Sequence, residues 1–329
     1  MEIRAAILGC GGFSSDTHGP SLAACADAFA DLRLVGCCDL NREAAERYRK
    51  RFGFERAFSS IDALFREAQP NAVSVVVPFD HTAQVVCEVL QWGVPVMTEK
   101  PPGLTPAELE AMIEAAGPTP TAVAFNRRHH PLMAPLREHL ATLGEPIELV
   151  RYTLARRERL DPDFSTTAVH AVDAARHIAG EDFAELTMRY RRIAACPAHV
   201  VANLVTGTFD SGANVQINVE PVTGAVSEIA EVFLRSHVFI AKFLDEGDPP
   251  TLIRLCGKER DEIAHVVDQP RFVTMGQYGE YSAFFQAVAA GRSPNDSLST
   301  ARQSVAVMAA LRERAATWTA GQPQRAKPA

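Results

Sequence analysis

Lysine is scarce in this 329-residue chain, which contains only Lys50, Lys100, Lys242, Lys258 and Lys327. Positive charge as a whole is in deficit: the formal net charge is −7 at pH 7. That balance offers no electrostatic handle for nucleic acid or an anionic membrane. No uninterrupted apolar run is long enough to span a bilayer, and Met1-Glu2-Ile3-Arg4 does not open a signal peptide. A cytoplasmic protein is the expectation. Cys-x-x-Cys is missing, and the cysteines at 10, 25, 37, 38, 87, 196 and 256 are odd in number. They read as small buried hydrophobes, neither disulfides nor zinc ligands. No internal repeat is visible. What remains is an ordinary globular composition, 47% apolar and 22% charged, long enough for two domains.

One lysine stands out by its setting. Val94-Pro95-Val96-Met97-Thr98 runs into Glu99-Lys100, and Pro101-Pro102 then stop the chain. Proline has no N–H for a sheet ladder, so a strand must end here. The rest of the first third alternates in the same way. Ile3–Leu8 and Leu32–Cys38 are apolar runs ending at Gly9 and Asp39, and Ala72–Val77 ends at Pro78. Thr121–Phe125 ends in Asn126-Arg127-Arg128. Helical patterns lie between them: one follows Pro20, Glu43–Phe52 stops at Gly53, and His81–Trp92 stops at Gly93. Thr105-Pro106-Ala107-Glu108 forms a capping box before another. Alternating strands and helices imply a parallel, doubly wound sheet. Its carboxyl edge would gather Gly9, Asp39, Pro78, Glu99-Lys100 and Arg127.

From Gly144 the strands lengthen. Ile147–Leu154, Val200–Phe209, Ala213–Val219, Glu228–Leu244 and Thr251–Leu255 read as β, with Asp210-Ser211-Gly212 as a hairpin turn. Tyr278–Ala290 and Thr300–Thr317 read as closing helices, and the polar tail Gly321–Ala329 as a frayed end. The expectation is therefore α/β: a dinucleotide-binding domain over residues 1–122, then an α+β domain over 123–329 with a large, mostly antiparallel sheet. The second would bind substrate and oligomerise.

Gly9-x-Gly11, continued by Gly12 and Phe13, fits a phosphate-binding turn, although Ser14 stands where a third glycine would complete the fingerprint. Asp39, closing the second strand, would accept hydrogen bonds from adenosine ribose hydroxyls and repel a 2′-phosphate. NAD is favoured over NADP on that ground, with Arg42 close enough to serve a 2′-phosphate instead. The lesser alternative for Asp39 is a cap on the helix that follows it.

With these motifs the chain resembles the Gfo/Idh/MocA oxidoreductases, the glucose–fructose oxidoreductase and inositol dehydrogenase family. The resemblance spans nearly the whole length. It rests on Gly9-x-Gly11, Asp39, Pro78-Phe79-Asp80-His81, Glu99-Lys100-Pro101, Phe125-Asn126-Arg127-Arg128 and His170-Ala171-Val172-Asp173. The resemblance implies an N-terminal Rossmann domain and NAD(P)-dependent oxidation of a hydroxyl on a sugar, polyol or related compound. It further implies that Lys100 contacts the nicotinamide and the substrate hydroxyl, that Glu99 helps hold the nicotinamide, and that Pro78 and His81 line the cofactor cleft. Arg127 would border the substrate, with Thr166 and Asp173 also in contact, and a homodimer or homotetramer would form. One departure is plain: Thr166 stands where an aspartate commonly precedes the histidine by four residues.

The chemistry can also be argued from the residues. Hydride leaves a carbinol carbon only as its hydroxyl proton is lost, so a base is needed within reach. His170 suits that role, with Lys100 stabilising the alkoxide. Alternatively Lys100 is the base, because burial beside Arg127 and an oxidised nicotinamide would disfavour its ammonium form. His170, Asp173 and His177 share a helix face opposite Val169, Val172 and Ile178. A metal site there is not favoured, since no further ligand stands at diagnostic spacing. His129-His130 after two arginines would suit an anionic or hydroxyl-rich substrate, or form a solvated loop. No lysine has a tyrosine four residues before it, which excludes a short-chain-type dehydrogenase. A non-catalytic NAD(P)-binding sensor on the same fold is the alternative.

Overall fold

The computed structural model describes residues 1–322, so the tail reading falls almost wholly outside the described residues. The described residues form two compact units. The first is Met1–His129 with Pro270–Val305, and the second is His130–Gln269 with Ala306 onward. The chain crosses between units more than once, whereas the sequence division at 122/123 has a single crossing.

The first unit is built on six strands: β1 (Ile3–Leu8), β2 (Leu32–Cys38), β3 (Arg56–Phe58), β4 (Ala72–Val75), β5 (Val96–Thr98) and β6 (Thr121–Val123). They lie in the order β3-β2-β1-β4-β5-β6, all parallel. Ile3, Ala5 and Ile7 enter one core with Leu22, Tyr48 and Phe284, while Ala6 and Leu8 on the alternate face are also buried. Burial of both faces is what a doubly wound parallel sheet requires.

Its helices end where the sequence chemistry says they should. Asn41 caps Arg42–Phe52 by accepting from the Glu43 and Ala44 amides at 3.1 Å, and Gly53 closes it at φ 76°. The Thr105–Glu108 capping box is complete. The helix read at Tyr278–Ala290 as closing the second domain is Gln277–Ala289. It belongs to the first unit, where Tyr281, Phe284, Phe285 and Val288 complete the core.

The second unit holds β7 (Ile147–Ala155), β8 (Phe183–Arg192), β9 (Val201–Phe209), β10 (Asn214–Glu220), β11 (Ser227–Leu234), β12 (Val238–Asp245), β13 (Thr251–Cys256), β14 (Glu259–His265) and β15 (Thr317–Thr319). Their order is β14-β13-β12-β11-β7-β10-β9-β8-β15, antiparallel except where β10 meets β7. The run 228–244 is two strands, because Arg235-Ser236-His237 turns the chain between β11 and β12. The region read as a helix to Thr317 ends at Arg312 and becomes an edge strand. Ala230, Val232, Phe239 and Phe243 face a core shared with Ala168, Ala171, Val172 and Ile178 of the helix Ser165–Ala179.

Candidate active site

In the first unit the strand ends are in direct register: Leu8 pairs with Cys38 and with Val75, Val75 with Thr98, and Thr98 with Val123. The residues that follow each strand therefore start from one line. That edge carries Gly9–Phe13, Asp39, Pro78, Glu99-Lys100 and Arg127, as the alternation of strands implied.

Gly9 has φ 96°, and a Cβ on it would meet the Val76 carbonyl oxygen at 1.9 Å. Only glycine fits there, for the chain's own sake. At Gly11 and Gly12 an added Cβ would meet nothing within 4 Å. Bare backbone facing open space at such a turn is what close approach of a pyrophosphate needs, so these residues fit a dinucleotide. Asp39 is fixed by its neighbours, Oδ2 accepting from the Cys10 amide and Oδ1 from the Asn41 amide, both at 2.8 Å. Arg42 is exposed and pairs with Glu46 at 3.2 Å. Phe13, Leu40 and Phe79 are exposed apolar side chains beyond β1, β2 and β4. Leu40 had no sequence signal beyond its place after Asp39.

Both Glu99 oxygens have partners within the chain: Oε1 meets His18 Nε2 at 2.9 Å, and Oε2 accepts from the Lys100 amide at 2.8 Å. His18 Nδ1 lies 2.9 Å from the Tyr281 hydroxyl. His81 is exposed beside Asp80 at 3.8 Å, and its amide donates to the Pro78 carbonyl at 2.9 Å. Arg127 is buried in the turn Asn126–His129, and Asn126 Nδ2 donates to the Met275 carbonyl at 2.7 Å.

The adjacent Glu280 is buried, and among the described residues neither of its carboxyl oxygens has a hydrogen-bond partner. Burial pushes its pKa well up. Glu99 and Asp296 add to the rise, while Arg127 and Lys100 oppose it. His18, Glu280 and Tyr281 carried no motif. Their one sequence signal is polarity among apolar helical positions, which a satisfied core residue shares.

In the second unit His170 and Asp173 are buried on the helix Ser165–Ala179, with Val169, Val172 and Ile178 buried too. Thr166 Oγ1 donates to the Asp163 carbonyl at 3.1 Å. His130 is held at both nitrogens, Nε2 donating to the Phe243 carbonyl at 3.1 Å and Nδ1 accepting from the Leu132 amide at 3.1 Å. In the first unit His129 Nε2 meets Asp296 at 2.9 Å. His130 thus ties the backbone in place and His129 holds an aspartate side chain, which a solvated loop would not do. No group of three or more His, Cys, Asp or Glu among the described residues is placed to hold a metal ion.

The turn, the acid and the Glu-Lys strand end meet a known family. Residues 3–126 match the oxidoreductase family with an NAD-binding Rossmann fold. Over that span the chain matches the Gfo/Idh/MocA family. It is 28% identical to the D-glucoside 3-dehydrogenase of Escherichia coli over 131 residues, 39% of this chain and 35% of that protein. It is also 28% identical to the inositol 2-dehydrogenase of Rhizobium meliloti over 201 residues, covering 57% and 58%. The chain thus spans less than two thirds of either relative. The solved UDP-N-acetylglucosamine 3-dehydrogenase of Acidithiobacillus ferrooxidans shares its fold, with TM-score 0.79, 22% identity and coverage of 95% and 97%. The bare turn at Gly11 and Gly12 lies in the matched NAD-binding region.

Proposed function

We propose that the chain is an NAD-dependent dehydrogenase or reductase acting on a CH–OH carbon of a sugar, polyol or related small molecule. The observation that carries this is Lys100, which follows β5 on the same sheet edge as the Gly9–Gly12 turn and Asp39. Gly9, Gly11, Gly12 and Phe13 would hold the pyrophosphate, Asp39 the ribose, and Pro78, His81 and Glu99 the cleft toward the nicotinamide. When bound, NAD supplies the hydride acceptor. His170 takes the hydroxyl proton, and Lys100 donates to the oxygen as negative charge develops on it. Arg127, Thr166 and Asp173 contact the substrate. Asp39 disfavours a 2′-phosphate, and Arg42 already pairs with Glu46, which supports NAD over NADP.

The glucoside and inositol dehydrogenases among its relatives support the substrate class. A homodimer or homotetramer in the cytoplasm completes the reading. The half-exposed sheet face bearing Ile229, Phe233 and Ile240 is a surface a second copy would cover.

The test is NADH formation from NAD+ across a panel of polyols and aldoses. Lys100→Ala is expected to lower kcat by about 10³-fold or more, with NADH affinity, read by fluorescence titration, little changed. Turnover that survives Lys100→Ala refutes the assignment. Tight NADH binding with no turnover on any member of the panel would point to a non-catalytic sensor.

A further inference from the structure

His18 and Tyr281 lie on separated stretches of the first unit, and both are buried. Glu99 joins them at the end of β5, with its side chain 12% exposed. Together they form one chain of hydrogen bonds whose donors and acceptors can be assigned. An ionised Glu99 carboxylate only accepts, so His18 Nε2 carries a proton and donates to Oε1 at 2.9 Å. The Tyr281 hydroxyl then donates to His18 Nδ1 at 2.9 Å. The second Glu99 oxygen accepts the Lys100 amide at 2.8 Å. Burial raises the Tyr281 pKa, so the phenol keeps the proton this arrangement requires.

We propose that His18 is a positioning residue for Lys100: held in one tautomer by Tyr281, it clamps Glu99, and Glu99 holds the lysine's backbone. The inference rests on the reading of Lys100 as the group that acts on substrate. It also joins the cofactor turn to the lysine, because Phe13 of that turn stands edge-on to the His18 ring, centroids 5.5 Å apart.

Both Glu99 oxygens are engaged within the chain, by the His18 ring and by the Lys100 amide. With both oxygens engaged, Glu99 serves as a rigid bracket. Without His18, Oε1 would lose its buried donor, and the carboxylate charge would be left to the nearest ammonium. The other charged groups in this neighbourhood are Glu280 on the helix Gln277–Ala289, Arg127 beyond β6, and Asp296.

The test uses the whole chain and three variants. His18→Leu removes both ring hydrogen bonds, His18→Gln keeps a side-chain N–H for Glu99, and Tyr281→Phe removes one hydroxyl. The first measurement needs no cofactor. It is the pH dependence of trinitrobenzenesulfonate labelling at Lys100, followed by mass spectrometry with the remaining lysines as internal references. In His18→Leu the labelling midpoint is expected to rise by about half a pH unit or more, because the freed carboxylate favours the ammonium form. Tyr281→Phe should move it the same way by less, and His18→Gln should restore the wild-type midpoint.

The second measurement is NAD+-linked turnover. In His18→Leu kcat is expected to fall by about 10²-fold while KM for NAD+ changes by less than about threefold. Unmoved labelling midpoints in folded His18→Leu and Tyr281→Phe overturn the proposal, even if thermal stability falls. A shifted midpoint with unchanged kcat overturns the positioning role. Should His18→Leu fail to fold, Tyr281→Phe carries both measurements. Should Lys100→Ala keep turnover, the functional reading fails, while the labelling result still decides whether the bracket exists.

Discussion

At the scale of single residues, glycines in one turn answer to different demands. Gly9 is required by the chain, since a Cβ would strike the Val76 carbonyl at 1.9 Å on a backbone already at φ 96°. Gly9→Ala is expected to cost more than about 1 kcal/mol of stability from backbone strain alone, with about 1–3 kcal/mol added by overpacking. Gly11 meets no such obstacle. Gly11→Ala should keep wild-type stability in urea denaturation yet weaken NADH binding in a fluorescence titration. Equal affinity in the two proteins would remove the dinucleotide reading of this turn.

Glu280 allows a second prediction. Its carboxyl is held well above 4.5, so the native state keeps a proton that the unfolded chain has released. From 4.5 up to that raised value, stability therefore falls as pH rises, by about 1.4 kcal/mol per pH unit for this group. Glu280→Gln removes that slope. Its stability relative to wild type should grow in urea titrations as pH rises above 4.5.

At the scale of elements, the helix Gln277–Ala289 shows what sequence can and cannot disclose. Its existence was legible from the apolar spacing of Tyr281, Phe284, Phe285 and Val288. Its destination was not, because an apolar stripe says that a face is covered and leaves open by what. Phe284→Ala is expected to cost about 3–5 kcal/mol and to lower NADH affinity, although it lies far along the chain from the cofactor turn.

The strand ends at Leu8, Cys38 and Thr98 were legible because glycine, aspartate and proline mark them chemically. The short β3 and β15 carry no comparable marks, and β3 is three residues long. The same contrast runs through the site. Lys100 could be singled out by its scarcity and its prolines. His18 and Tyr281 become visible only when the fold brings residues 263 positions apart to 2.9 Å.

At the scale of the whole molecule, the packing units cut across the order of the chain. The first takes in Pro270–Val305 as well as Met1–His129. A fragment ending at residue 122 therefore lacks Tyr281, Phe284, Phe285 and Val288 from its core. It should show no cooperative unfolding transition in circular dichroism, whereas residues 1–129 joined by a short linker to 270–305 should regain one. A cooperative 1–122 fragment would show that the late helix is dispensable.

The interleaving also bears on synthesis. While the ribosome is still making the second sheet, the dinucleotide half is waiting for its last helix, and for the tyrosine that steadies His18. Capture of a nicotinamide cofactor by a nascent chain should therefore begin only after codon 281 has been read and its product has cleared the exit tunnel.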